Sequence, residues 1–261
     1  MRYVKGHGTE NDFVLIPDYD GAVKLDEDLV RRICDRRAGL GADGVLRVVR
    51  TAAVPDAVGD AEWFMDYRNA DGSIAEMCGN GVRVYARYLV SEGLVRPGGL
   101  QLGTRGGVRD VEVPSSGDIR VDMGPAVVAD PVDIDGVAAT YVDMGNPHAV
   151  VPVKSVGALG TLDPGRKDLN VEYVEDVGEG HIRMRVHERG VGETRSCGTG
   201  ACAAVVATAL RLGSPRGSAY TVDVPGGRLT VTWRDDDTVL LSGPAVLVAS
   251  GELSDEWLES A

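Results

Sequence analysis

The chain has 261 residues, 43% of them hydrophobic and 26% charged, enough to bury one large core or two of ordinary size. Its formal charge of -13 repels nucleic acid and anionic membranes, so neither is an expected partner. No apolar run reaches membrane-helix length and the opening MRYVKGHG has no apolar signal segment, so a soluble cytoplasmic protein is expected.

In chain order, alternation and turn residues predict strands near 2–5 and 12–17, then an amphipathic helix over 26–37. Cys34 lies in that helix (LVRRICDRR) and reads as a small buried hydrophobe. Next comes Gly39-Leu40-Gly41-Ala42-Asp43-Gly44, a literal Gly-x-Gly-x-x-Gly. A dinucleotide fingerprint needs a strand before it and a helix after it; here the order is reversed, so nucleotide binding is rejected. Strands near 44–50 and 62–68, a helix over 80–91, and strands near 108–113 and 119–123 complete the first half. The second half reads as strands near 140–143, 148–152, 171–175, 181–187, 221–224, 228–233 and 238–241, with a helix over 199–211. Regular βαβ alternation is absent, which indicates an α+β fold.

The chain is written twice. Cys78 in MCGNGVRVYARYL and Cys197 in SCGTGACAAVVATAL both stand in Cys-Gly-x-Gly ahead of a helical run, 119 residues apart. Gly124-Pro125-Ala126-Val127 recurs at the same offset as Gly243-Pro244-Ala245-Val246, and Gly106-Gly107 recurs as Gly226-Gly227. WFMDYRN (63–69) aligns with IRMRVHE (182–188), setting Asn69 opposite Glu188. The expected architecture is two pseudo-symmetric domains of one fold, each a curved, mostly antiparallel sheet around a central helix. Residues 1–125 would carry Cys78 and 126–261 would carry Cys197, with the extreme C-terminus able to return to the first half. VVADPVDIDG (127–136) is the best boundary region.

A cysteine at a helix start lies beside free N–H groups and the positive end of the helix dipole, which favour its thiolate. The same N–H groups can hold a carboxylate. Two such loops suggest one thiolate taking a proton from a carbon while the opposite thiol returns one to the other face, inverting a stereocentre without a cofactor. Single-cysteine nucleophilic catalysis is the rival, and it leaves the duplication unexplained. No Cys-x-x-Cys pair suggests a metal. Only Lys5, Lys24, Lys154 and Lys167 could form a Schiff base, which weakens a pyridoxal-phosphate reading. Other polar candidates are the turn His7–Phe13, the turn Met144–His148, Asn170 before a strand, and Glu188-Arg189 at a strand end.

HGTENDF (7–13), GLGADG (39–44), YRNADGSIAEMCGNG (67–81), MGNPH (144–148) and ERGVGETRSCGTGACAA (188–204) run across the whole chain. In these motifs and their order the sequence resembles the diaminopimelate epimerases, of the actinobacterial type. The resemblance implies interconversion of LL- and meso-2,6-diaminopimelate in lysine and peptidoglycan-precursor synthesis, a cofactor-free two-base mechanism, and a homodimer. It implies Cys78 and Cys197 as proton acceptor and donor, with His148 and Glu188 tuning the thiols. It places Asn11, Asn69, Asn146, Asn170, Glu188 and Arg189 at substrate-binding positions, with Gly79, Asn80, Gly198 and Thr199 as backbone donors. Two residues depart from the pattern. Glu10 stands where many members have glycine, and Gly44 where many have glutamine. Proline racemase-like enzymes, which generally show histidine after the first Cys-Gly where this chain has Asn80, are one alternative. A racemase for another amino acid such as histidine is another, and a non-catalytic duplicated binding module is a third.

Overall fold

Short alternating segments punctuated by glycine turns fold here as sheet, and the two long runs of small and apolar residues behind the cysteines fold as helices. The computed structural model describes residues 1–55 and 57–259. The chain forms two compact units: residues 1–8, 12–119 and 245–261 in the first, and 9–11 and 120–244 in the second. The expected cut after residue 125 falls earlier, with the chain leaving the first unit at Ile119, and the C-terminal stretch from Ala245 belongs to the first unit, the return that the sequence reading allows for.

The first unit contains β1 (Arg2–Gly8), β2 (Asn11–Pro17, from Asp12 on), α1 (Glu27–Cys34), β3 (Gly44–Arg50), β4 (Trp63–Asn69), α2 (Gly79–Ser91), β5 (Gly98–Gly103) and β6 (Arg109–Val113). β2 pairs parallel with β3, β3 antiparallel with β4, β4 parallel with β5 and β5 antiparallel with β6. The second unit contains β7 (Ile119–Pro125, from Arg120 on), β8 (Val127–Ile134), β9 (Val137–Asp143), β10 (Pro147–Pro152), β11 (Asn170–Gly178), β12 (His181–Glu188), β13 (Gly192–Thr194), α3 (Gly198–Leu212), β14 (Ala219–Val224), β15 (Gly227–Trp233) and β16 (Thr238–Gly243). The C-terminal β17 (Val246–Glu252) pairs antiparallel with β1, and α4 (Asp255–Glu259) follows it.

The two units repeat one plan. In each, a parallel pair precedes an antiparallel one: β2–β3–β4 in the first, β10–β11–β12 in the second. Phe13 lies opposite Gly44 and Leu15 opposite Leu46; correspondingly, His148 lies opposite Asn170 and Val150 opposite Glu172. Gly44 lies opposite Asn69, and one step beyond the Val171–His187 pair sets Asn170 opposite Glu188. The register thus reproduces the Asn69–Glu188 correspondence.

Each sheet wraps a central helix. α3 is buried continuously from Gly198 to Ala209, and α2 from Gly79 to Ala86. α3, small and apolar on nearly every side up to Ala209, has no solvent face there and must lie inside, whereas α2 also buries the polar Asn80 and Arg83. α1 differs: its apolar stripe of Val30, Ile33 and Cys34 joins Val14, Ile16, Val45 and Leu253 in a satellite core. Asp26 caps it, accepting from Leu29 N–H, a contact worth about 1 kcal/mol. Burial pushes the Cys34 thiol up to about 12, in keeping with its packing as a small hydrophobe.

The structure corrects several expected boundaries. Residues 127–136 are not a linker: β8 pairs with β9 there. α1 stops at Cys34, short of residue 37, because Asp35 turns the chain by accepting from the N–H groups of Arg37 and Ala38. β5, β13, β17 and α4 are elements that the sequence pattern does not predict. β5 and β13 are rich in glycine or very short, and β17 leaves Val246 and Val248 exposed, so none shows clean alternation. Among the described residues no helix is long and apolar enough to cross a membrane.

Candidate active site

Both Cys-Gly-x-Gly segments are helix starts, and both cysteines are the capping residues. Cys78 caps α2 and Cys197 caps α3, each with extended backbone. Each sulfur accepts from the N–H of the second glycine at 3.4 Å, Gly81 in one case and Gly200 in the other. Sulfur is a weak acceptor as a thiol; a thiolate makes this bond charge-assisted and gains from the helix dipole. Cys78 is half-buried and Cys197 is 6% exposed.

In the first unit, Asn69 ends β4 and its amide donates to Ser73 Oγ at 3.0 Å. Asn80 is fully buried, and its carboxamide oxygen accepts from Arg83 Nη2 at 3.0 Å. That side chain therefore braces the first turn of α2. Gly44 has no space for a side chain: a Cβ there would lie 2.5 Å from the Arg68 carbonyl oxygen and 2.6 Å from the Tyr67 ring. Asp12 anchors the neighbouring loop. Burial opposes its charge, but hydrogen bonds from Arg36 and Lys5 outweigh this and hold its carboxyl down at about 2.

The second unit gathers more ionisable chemistry. β10 carries His148 and β11 carries Asn170, side by side in register. Asn170 Oδ1 accepts from Arg189 N–H at 2.9 Å and its amide donates to Pro147 O at 3.0 Å, tying the end of β12 to the start of β10. His148 is fully buried, with Nδ1 2.7 Å from Glu172 Oε1 and Nε2 3.0 Å from Asn146 Oδ1. Glu188 accepts from Thr194 Oγ1 and hydrogen-bonds Cys197. Burial pushes the Glu188 carboxyl up, opposed by those two bonds and reinforced by Glu172. The Cys197 thiol is pushed well up, first by burial and then by Glu188 and Glu172; hydrogen bonds from Thr199 and Gly200 pull the other way. Thr199 Oγ1 lies 3.5 Å from Sγ, while the Arg189 side chain is exposed.

Residues 9–11 also belong to the second unit. Thr9 Oγ1 lies 2.6 Å from Ser196 Oγ, and Glu10 pairs with Arg195, both immediately before Cys197. Thr9 and Glu10 have φ of 49° and 60°, the left-handed region that costs a side-chain-bearing residue about 1–2 kcal/mol. Glycine would adopt this conformation without strain; here Glu10 carries it while paired with Arg195. Asn11, next in the chain, is half-buried.

Sequence reasoning misses Glu172, Ser196 and Arg83. Glu172 carries a signal: it shares strand parity with Asn170, so NVEYVED puts a charge on the core face.

The diaminopimelate epimerase family model matches residues 3–129 and 140–248. The chain belongs to the diaminopimelate epimerase family. A diaminopimelate epimerase of Streptomyces coelicolor is 52% identical, with 99% of this chain and 97% of that protein covered. One of Thermobifida fusca is 49% identical, covering 97% of this chain and 98% of that protein. Among solved structures, the phenazine biosynthesis protein of the PhzF family from Bacillus anthracis superposes with a TM-score of 0.75 at 17% identity, covering 97% of this chain and 99% of that one. That likeness shows the fold. Membership of the epimerase family makes this α+β chain an enzyme, an isomerase.

Proposed function

We propose that the protein interconverts LL- and meso-2,6-diaminopimelate in lysine and peptidoglycan-precursor biosynthesis, using Cys78 and Cys197 as the two bases. The observation that carries this reading is the duplicated helix start, each with a cysteine as its capping residue and a glycine N–H on its sulfur. The relatives named above, at 52% and 49% identity, supply the substrate.

In the proposed reaction one thiolate removes the α-hydrogen as a proton, leaving the bonding pair on the carbon. The opposite thiol then delivers its own proton to the other face. The first cysteine ends as a thiol and the second as a thiolate, so the reverse reaction starts from that state. An amino-acid Cα–H is a very weak acid, so charge must be stabilised as it develops on the α-carboxylate. Main-chain N–H groups at Gly79–Asn80 and Gly198–Thr199 are preorganised for this. His148 and Glu188 tune the thiol chemistry. Asn11, Asn69 and Asn146 offer polar contacts to the substrate, and Arg189 suits its distal carboxylate through bidentate pairing. Asn170 holds the Arg189 main chain in place. No step requires a cofactor.

The test is solvent hydrogen uptake. Reduced protein in heavy water, given diaminopimelate, proline and histidine in parallel, is expected to place deuterium at Cα of diaminopimelate alone, with inversion. Uptake into proline or histidine instead would transfer the enzyme to another racemase class. No uptake into any of the three would refute the proposal.

A further inference from the structure

Structural equivalence of the two units exposes an asymmetry between their thiols. The positions filled by His148, Glu172 and Glu188 in the second unit are filled by Phe13, Leu46 and Asn69 in the first. The match is close in space. A Cβ on Gly81 would lie 3.4 Å from Leu46 Cδ2, and one on Gly200 would lie 2.6 Å from Glu172 Oε1. One helix start therefore rests on a hydrocarbon and the other on a carboxyl group.

Glu172 is fully buried. Its Oε1 meets His148 Nδ1, and its Oε2 has no hydrogen-bond partner. Such a carboxyl is costly to enclose and contributes little to stability on its own. Gly200 admits it: the same hypothetical Cβ that touches Oε1 lies 3.3 Å from Cys197 Sγ. Carboxyl and sulfur thus lie within about 6 Å of each other, inside the range over which like charges raise a pKa. Around Cys197 the facing groups are Glu172 from β11, Glu188 from β12, His148 from β10, and Thr199 with the N–H groups of α3.

We propose that Glu172 is a positioning residue: its buried carboxylate, held by His148 against the first turn of α3, keeps Cys197 protonated at rest. The second unit then holds the resting thiol, poised to donate. The apolar Leu46 in the first unit imposes no such restraint on Cys78. This deepens the two-thiol reading and rests on it for its catalytic meaning, but its test needs no substrate.

The experiment uses the full chain with Cys78→Ala. The rate at which methyl methanethiosulfonate modifies Cys197 is followed against pH by site-resolved mass spectrometry. With Glu172 present, the midpoint is expected above the ordinary thiol value of about 8.5. Glu172→Gln keeps the shape and removes the charge, and its midpoint is expected to fall by about one pH unit or more. Glu172→Asp, which retains the charge, is expected to stay near the parent. A parent midpoint at or below the ordinary value overturns the proposal even if the glutamine variant fails to fold. So does an unchanged midpoint in a folded glutamine variant. Failure of the heavy-water assay would leave these midpoints as they are, so the two readings fail separately.

Discussion

Cys78→Ala and Cys197→Ala are each expected to lower kcat for epimerisation by about 10²–10⁴-fold, the range for losing a proton-transfer group. Stability should change little. Each sulfur caps its helix through one 3.4 Å contact, and losing a cap costs about 1 kcal/mol. Circular dichroism and a thermal melt would therefore look near-normal while turnover disappears. That separation matters, because a collapsed variant would also be inactive. Retention of the remaining thiol gives a second readout: it can still exchange the α-hydrogen on its own face, so slow deuterium uptake without inversion is expected from one stereoisomer. A single alanine variant with full activity would remove the two-base scheme.

Gly226→Ala is expected to have the largest effect of any small substitution in the second unit. A Cβ there would lie 1.9 Å from the Thr9 carbonyl oxygen and 3.2 Å from that of Arg195. Both are main-chain atoms, so no rotamer change relieves the clash. Either the Gly226 turn or the Thr9–Asn11 segment must move. Thr9 and Glu10 already sit in the left-handed region, held by Ser196 and Arg195, so little slack remains. A cost of about 3 kcal/mol is expected, read as a fall in Tm of roughly 5–10 °C. Displacing Asn11 should also raise KM for diaminopimelate more than it lowers kcat. A variant with unchanged Tm and KM would contradict the described packing.

How much the sequence reveals depends on how locally each feature is written. The cysteine caps are legible because Cys-Gly-x-Gly and the helical run behind it are contiguous, and the duplication makes them conspicuous. The Asn69–Glu188 correspondence is legible because strand parity survives in the sequence. Glu172 is harder. Its meaning depends on Gly200, 28 residues away, leaving room for its carboxyl, and no local pattern encodes that. The docking of Thr9 and Glu10 beside Ser196 and Arg195 is a contact across more than 180 residues. Glu10 is visible only as a departure from a glycine; the positive φ that makes glycine natural there requires the fold. β8 is hidden for a different reason: VVADPVDI is mostly exposed, with Pro131 inside a bulged register, so it reads as a linker.

The central claim, that two sulfurs serve opposite faces of one carbon, is tested most directly by following isotope at both ends of a single reaction. LL-diaminopimelate is converted in heavy water to low extent, and the α-positions of the product and of recovered substrate are analysed separately. A thiol donor already equilibrated with solvent predicts one deuterium at the inverted centre of the product and almost none in the recovered LL-isomer. Protium carried from substrate into product, or deuterium entering the recovered substrate as fast as product forms, would mean one base working both faces and would contradict it.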